Sequence, residues 1–77
     1  MPNLQLDERQ LRKQIGNVEK TIAKLDTQRK QLNEQMMQAT DPKEAMRLHE
    51  ELTQVTSDLE SAETKWSELQ EQLDAVE

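Results

Sequence analysis

Seventy-seven residues, 34% of them charged, with one tryptophan and no phenylalanine, tyrosine or cysteine, cannot build a conventional globular core, a disulfide staple or a thiolate metal site. The formal net charge of −6 hides an asymmetry: residues 1–39 carry seven cations against five acids, residues 40–77 three cations against eleven acids. Such a composition suits either a coiled coil or a disordered polar segment, and hydrophobic periodicity decides between them.

The first seven residues contain no apolar run, so neither a signal peptide nor a membrane span is expected, and the cytoplasm is the expected location. From Leu11 the apolar residues step alternately by four and three, with Arg29 filling the one missing rung. This is a heptad seam: Ile15, Ile22, Arg29 and Met36 at a, and Leu11, Val18, Leu25, Leu32 and Ala39 at d. The pattern predicts a first helix over about residues 5–39, with Leu4 as an outlying apolar position.

The segment Thr40-Asp41-Pro42-Lys43-Glu44 breaks it. Proline disfavours α conformation at the residue before it, so the first helix should stop near Thr40. The same residues suit a helix start, with Asp41 as cap, Pro42 in the first helical position and Glu44 placed to reach back as a capping-box acid. The predicted turn is residues 40–41, and the second helix runs over about 42–76. There Ala45, Leu52, Leu59, Trp66 and Leu73 occupy a, and Leu48, Val55, Ala62, Leu69 and Val76 occupy d. Continuing the first register through the break would put Lys43 and Met46 on the seam, so two helices fit better than one kinked rod.

A short connection makes successive helices antiparallel neighbours. Folding about Asp41–Pro42 pairs Ala39 with Ala45, Met36 with Leu48, Leu32 with Leu52, Arg29 with Val55, Leu25 with Leu59, Ile22 with Ala62, Val18 with Trp66, Ile15 with Leu69, and Leu11 with Leu73. Every layer joins an a to a d. The predicted fold is therefore all-α, an antiparallel two-helix coiled-coil hairpin, in which Trp66 makes the largest single contribution to the seam. The basic and acidic halves should attract each other. The hairpin is expected as a monomer or weak homodimer.

Arg29 at an a position reads as a register-setting polar layer with its head toward Asp26 or Asp58, or else as a partner contact. His49 has no second histidine or cysteine to converge with, so it reads as a solvated flank residue and no metal is expected. Met36, Met37 and Met46 surround the turn; Met36 is core by register, whereas Met37 and Met46 could form an adaptable docking tip. Pairs such as Glu60–Glu63 and Glu68–Glu71 could do acid–base chemistry only in a pocket, which an exposed helix face does not supply. No nucleotide-binding loop or nucleophilic constellation is present, so no catalytic activity and no cofactor are expected of this chain.

Arg9, Lys13, Lys20, Lys24 and Lys30 fall at outward b, c or f positions of the first helix, and Arg12 lies beside them. Such a stripe can track a phosphate backbone, but the acidic second half and the lack of stacking aromatics fit an ordinary solvated face better.

Three segments carry a family resemblance. The second helix contains Leu48-His-Glu-Glu-Leu52 and Leu59-Glu-Ser-Ala-Glu-Thr-Lys-Trp66-Ser-Glu-Leu69; the first opens with the basic run Leu11-Arg-Lys-Gln-Ile15 to Leu25; Asp41-Pro42 forms the turn. Together they resemble the C-terminal coiled-coil domain of the F subfamily of ATP-binding cassette proteins, the Uup-like group. The resemblance implies a fragment of a larger ATPase, with two cassettes upstream that bind ATP and this hairpin as a non-catalytic arm. It further implies work on ribosomes and translation, and contact with DNA or ribosomal RNA through Arg9, Arg12, Lys13, Lys20, Lys24 and Lys30. The alternative function is a protein–protein interaction hairpin, an adaptor or chaperone-like coiled coil with no nucleic-acid role.

Overall fold

The computed structural model describes residues 7–76, which form two antiparallel helices. α1 spans Glu8–Gln38 and α2 spans Pro42–Val76, and they pack along their whole length into a rod 59 × 18 × 14 Å. The fold is the all-α hairpin that the heptads dictate.

Local chemistry sets the helix ends. Asp7 caps α1 with extended backbone: its carboxylate accepts from the Gln10 N–H at 2.8 Å, while the Gln10 side-chain oxygen accepts from the Asp7 N–H at 3.3 Å. This reciprocal box satisfies two backbone donors and fixes Glu8 as the first helical residue. The expected start at residue 5 and the outlying Leu4 lie outside the described residues. At the other end Ala39 leaves the helix with φ −71° and ψ 129°, so the connection is Ala39–Asp41, one residue longer than expected.

Asp41 then starts α2. Its carbonyl accepts from Ala45 N–H at 2.9 Å and its carboxylate from Lys43 N–H at 3.2 Å. Glu44, expected to reach back to this cap, has its carboxylate 4.0 Å from the Arg47 guanidinium. The reciprocal cap forms at Asp7–Gln10, where the sequence reading did not place one.

Burial follows the register but not uniformly. Every expected seam residue is buried or half-buried except Val76, which is 43% exposed at the end of α2. Leu11, Ile15, Val18, Leu69 and Leu73 form one buried cluster at the open end, with Ile22, Ala62 and Trp66 packed against it. Leu48 and Leu59 are buried separately, nearer the turn. Between them Leu25, Leu32, Leu52 and Val55 are only half-buried. The Arg29–Val55 layer explains the thinning, since it offers no large apolar side chain to close the seam.

Trp66, expected to make the largest single contribution to the seam, packs against the buried cluster without being enclosed by it. It is half-buried at the edge of the open-end cluster, and its indole Nε1 donates to Glu19 Oε2 at 3.1 Å. An indole N–H needs a partner when it leaves water, and the seam margin lets it reach one.

Candidate nucleic-acid interface

The six cations expected to contact phosphate all lie exposed on α1. Arg12 donates to Glu8 from Nε at 3.2 Å and from Nη2 at 2.9 Å. Lys30 lies 3.3 Å from Asp26, whose other carboxylate oxygen accepts from Arg29. Arg12 and Lys30 therefore have acids of their own helix at hand. Among the described residues, Arg9, Lys13, Lys20 and Lys24 make no ion pair. These four project from the side of α1 turned away from α2, as their b, c and f positions require.

Arg29 takes the first of its two expected partners, Asp26, and sits half-buried at the seam. Its planar head is held by the acid three residues earlier in its own helix while its stem fills the layer.

The expected attraction between the basic and acidic halves produces no ion pair across the seam among the described residues. Glu8–Arg12, Asp26–Arg29, Asp26–Lys30, Glu44–Arg47 and Arg47–Glu51 all lie within one helix. The reason is positional. On one flank α1 presents Gln14, Thr21, Gln28 and Gln35, which are neutral; on the other it presents Arg12, Glu19, Asp26 and Asn33, of which Arg12 pairs with Glu8 of its own helix and the two acids face an acidic helix.

That second flank forms a groove lined by Glu19, Asp26, Arg29, Glu60 and Glu63 above Ile22 and Leu59. The opposite flank is a glutamine-rich groove with Gln28, Gln31, Gln35 and Gln54 around Leu32 and Val55. The back of α2 carries Glu60 and Glu68 among Ser57, Ser61, Thr64 and Lys65. Among the described residues, only the outward side of α1 thus offers clustered positive charge without acids interleaved.

His49 is exposed, and its carbonyl accepts from the Thr53 hydroxyl at 2.9 Å. Met37 and Met46 stand 87% and 66% exposed beside the turn, whereas Met36 is half-buried. No helix among the described residues is long and apolar enough to cross a membrane.

The separation of paired from unpaired cations has a local signal that the sequence analysis above does not use, the i, i+4 spacings of Glu8–Arg12 and Asp26–Lys30. The Trp66–Glu19 bond has no local signal, because its partners lie 47 residues apart.

A family model described as ABC transporter C-terminal domain matches residues 6–71. No curated relative and no solved structure matches the chain.

Proposed function

The chain belongs to the ABC transporter C-terminal domain family, and from that premise we propose that it is a non-catalytic arm of an F-subfamily ATP-binding cassette protein that contacts DNA or ribosomal RNA through the outward side of α1. The single observation that carries this reading is the set of Arg9, Lys13, Lys20 and Lys24, four cations on one side of a straight helix without an acid in contact. Lysines and arginines held clear of carboxylates are free to exchange their counterions for phosphates, which gives most of non-specific nucleic-acid affinity.

Arg12 and Lys30 join as secondary contacts. Their exposed ion pairs are worth at most about 1 kcal/mol each and yield to a phosphate at little cost. In this reading ATP is bound by cassettes of the parent polypeptide, in the cytoplasm, and the hairpin needs no cofactor of its own. The resemblance of the Leu59–Leu69 segment, centred on Trp66, supports the Uup-like assignment.

The test is binding of labelled DNA and ribosomal RNA over a range of salt. Four phosphate contacts give a log–log salt slope of roughly −3 to −4. Lys13→Glu with Lys20→Glu should weaken binding and flatten that slope without loss of helicity. Salt-independent binding, or none in dilute buffer, overturns the reading.

A second reading rests on Met37 and Met46, whose thioethers stand exposed at the tip of the rod. A protein-binding hairpin would use them as an adaptable apolar contact. Capture of a protein partner that is lost in Met37→Ser with Met46→Ser, alongside absent nucleic-acid binding, favours it.

A further inference from the structure

The neutral flank of α1 belongs to a longer pattern. From Gln10 to Gln38 the residues on that side of the helix step alternately by four and three, as the apolar seam does, and seven of the nine are glutamine or asparagine. Lys24 is the only charge among them. The facing flank of α2 runs from Glu44 to Gln72 on the same steps, with Glu44, Glu51, Asp58 and Glu68 outnumbering Arg47 and Lys65. Leu32 and Val55 lie half-buried at the floor of the groove between them. Among the described residues neither Lys24 nor Asp58 makes an ion pair; Asp58 accepts from Gln54 Nε2 at 2.9 Å.

We infer that this flank docks on the same flank of a second copy of the chain, closing an antiparallel four-helix bundle in which each α1 lies along the partner's α2. The inference goes beyond the proposed function and does not depend on it. With the two-fold axis parallel to the rod, each residue of α1 meets the residues at its own height on the other copy. Gln28 then faces the partner's Gln54, Thr21 the partner's Ser61, and Lys24 the partner's Asp58. Nearer the turn, Gln31 faces the partner's Glu51 and Gln35 the partner's Arg47. One register holds along the whole rod, and no layer sets like charge against like. An amide can donate to an acid or accept from a cation, so the glutamines suit either neighbour. Each helix is antiparallel to both of its neighbours, and each basic helix lies between two acidic ones, its own and the partner's.

A two-fold contact needs a surface that is compatible with itself. The outward sides fail this, because α1 is cationic there and α2 turns Glu60, Glu68 and Glu71 outward. The other flank fails too: it would set Glu19 near the partner's Glu63 and Asp26 near the partner's Glu60. Among the described residues the amide flank is the surface without that conflict. A face of a rod 59 Å long and 18 Å wide offers each copy on the order of 1,000 Å², and stable interfaces bury roughly 800 Å² per partner. Because amides line most of it, the contact is weak, leaving a monomer at about 10 μM and a dimer toward about 1 mM. The partner gives Leu32 and Val55 the cover that one hairpin lacks, while Arg9, Lys13 and Lys20 stay exposed.

Sedimentation equilibrium across that concentration range tests the contact, in about 0.15 M salt so that the net charge of each copy is screened beyond about 8 Å. The wild-type chain should pass from monomer to dimer. Asp58→Lys brings lysine against lysine twice in each dimer and should weaken association about tenfold with helicity unchanged. Adding Lys24→Asp exchanges the charges across the same contact and should restore wild-type association. The chain has no cysteine, so Gln28→Cys and Gln54→Cys can be made separately, mixed at high concentration and treated with a short bis-maleimide. The mixture should yield a linked dimer of one variant with the other, and either variant alone should yield little. A wild-type chain that stays monomeric toward about 1 mM overturns the inference. Growth past the dimer also overturns it, since that would place the basic side of one copy on the acidic side of the next. So does a dimer that ignores Asp58→Lys, or one in which positions 28 and 54 fail to link.

Discussion

Trp66 on α2 hydrogen-bonds to Glu19 on α1, indole Nε1 to carboxylate Oε2 at 3.1 Å, and this is the side-chain hydrogen bond that joins the two helices among the described residues. Its position at the edge of the buried cluster makes it a latch on the open end of the hairpin.

Removing only the donor should loosen that latch without emptying the seam. Trp66→Phe keeps most of the apolar area and loses the hydrogen bond, for an expected cost of about 1 kcal/mol beyond the small packing change. Glu19→Ala, which removes the acceptor, should produce a loss of similar size, and the two should be strongly non-additive because they act on one contact. Thermal melts of the four proteins of the cycle measure this; simple additivity would remove the bond from the stability account. Trp66→Ala, which also strips the ring from the open-end cluster, should cost more and melt the open end first.

Gly16 sits in the interior of α1 with open space where a side chain would go. Gly16→Ala should stabilise the hairpin by about 1 kcal/mol, through the conformational freedom lost from the unfolded chain and with no clash in the folded one. For a chain of this size that is a rise in thermal midpoint on the order of 4–8 °C. An unchanged or lowered midpoint would show that the backbone at Gly16 is engaged by something the hairpin alone does not supply.

Truncating seam leucines should give unequal losses. Leu11 is 1% exposed and Leu69 4% exposed within the open-end cluster, so Leu11→Ala and Leu69→Ala should each cost about 2–5 kcal/mol. Leu32 is half-buried, and Leu32→Ala should cost clearly less because part of its surface already meets water. Amide exchange should rank the same way, slowest around Leu11–Val18 and Leu69–Leu73, faster near Leu32 and Val55. Equal protection along the rod would contradict the packing described here.

Asp7 supports the start of α1 from outside the seam. Asp7→Ala removes the acceptor for the Gln10 N–H and should cost about 1 kcal/mol, read as fraying of the first turn. Asp7→Asn or Asp7→Ser should recover most of it. Failure of the conservative variants to rescue would locate the effect in charge at the helix start instead of in the cap.

Arg29 tests what a polar layer does in a two-helix seam. Arg29→Leu should raise the thermal midpoint by filling the thin layer opposite Val55. Sedimentation should then reveal self-association, because a longer uninterrupted apolar seam tolerates partners in other registers. A variant that is more stable and still monomeric would assign Arg29 no role in specificity.

Much of the hairpin was legible in the residues because heptad periodicity is a local property. The steps from Leu11 to Ala39 and from Ala45 to Leu73 name the faces, Pro42 names the break, and a short connection leaves antiparallel pairing as the simple solution. The cations of α1 were equally visible, since outward positions follow from the same register.

What those residues could not decide by themselves is how deeply each layer is buried and which charged groups meet. Both depend on competition between near neighbours in space: Asp26 has Arg29 and Lys30 within reach, Glu8 holds Arg12, and, Arg12 apart, the seam flanks of α1 put neutral or acidic side chains where cross-helix pairs would form. The sequence by itself determined two amphipathic helices and the register in which they meet. Only the tertiary structure decided that the open end is the drier half, that Trp66 reaches Glu19, and that Arg9, Lys13, Lys20 and Lys24 remain unpaired. Periodicity fixes direction along and around a helix, whereas burial and pairing are settled by the volume and charge of whatever the other helix places opposite.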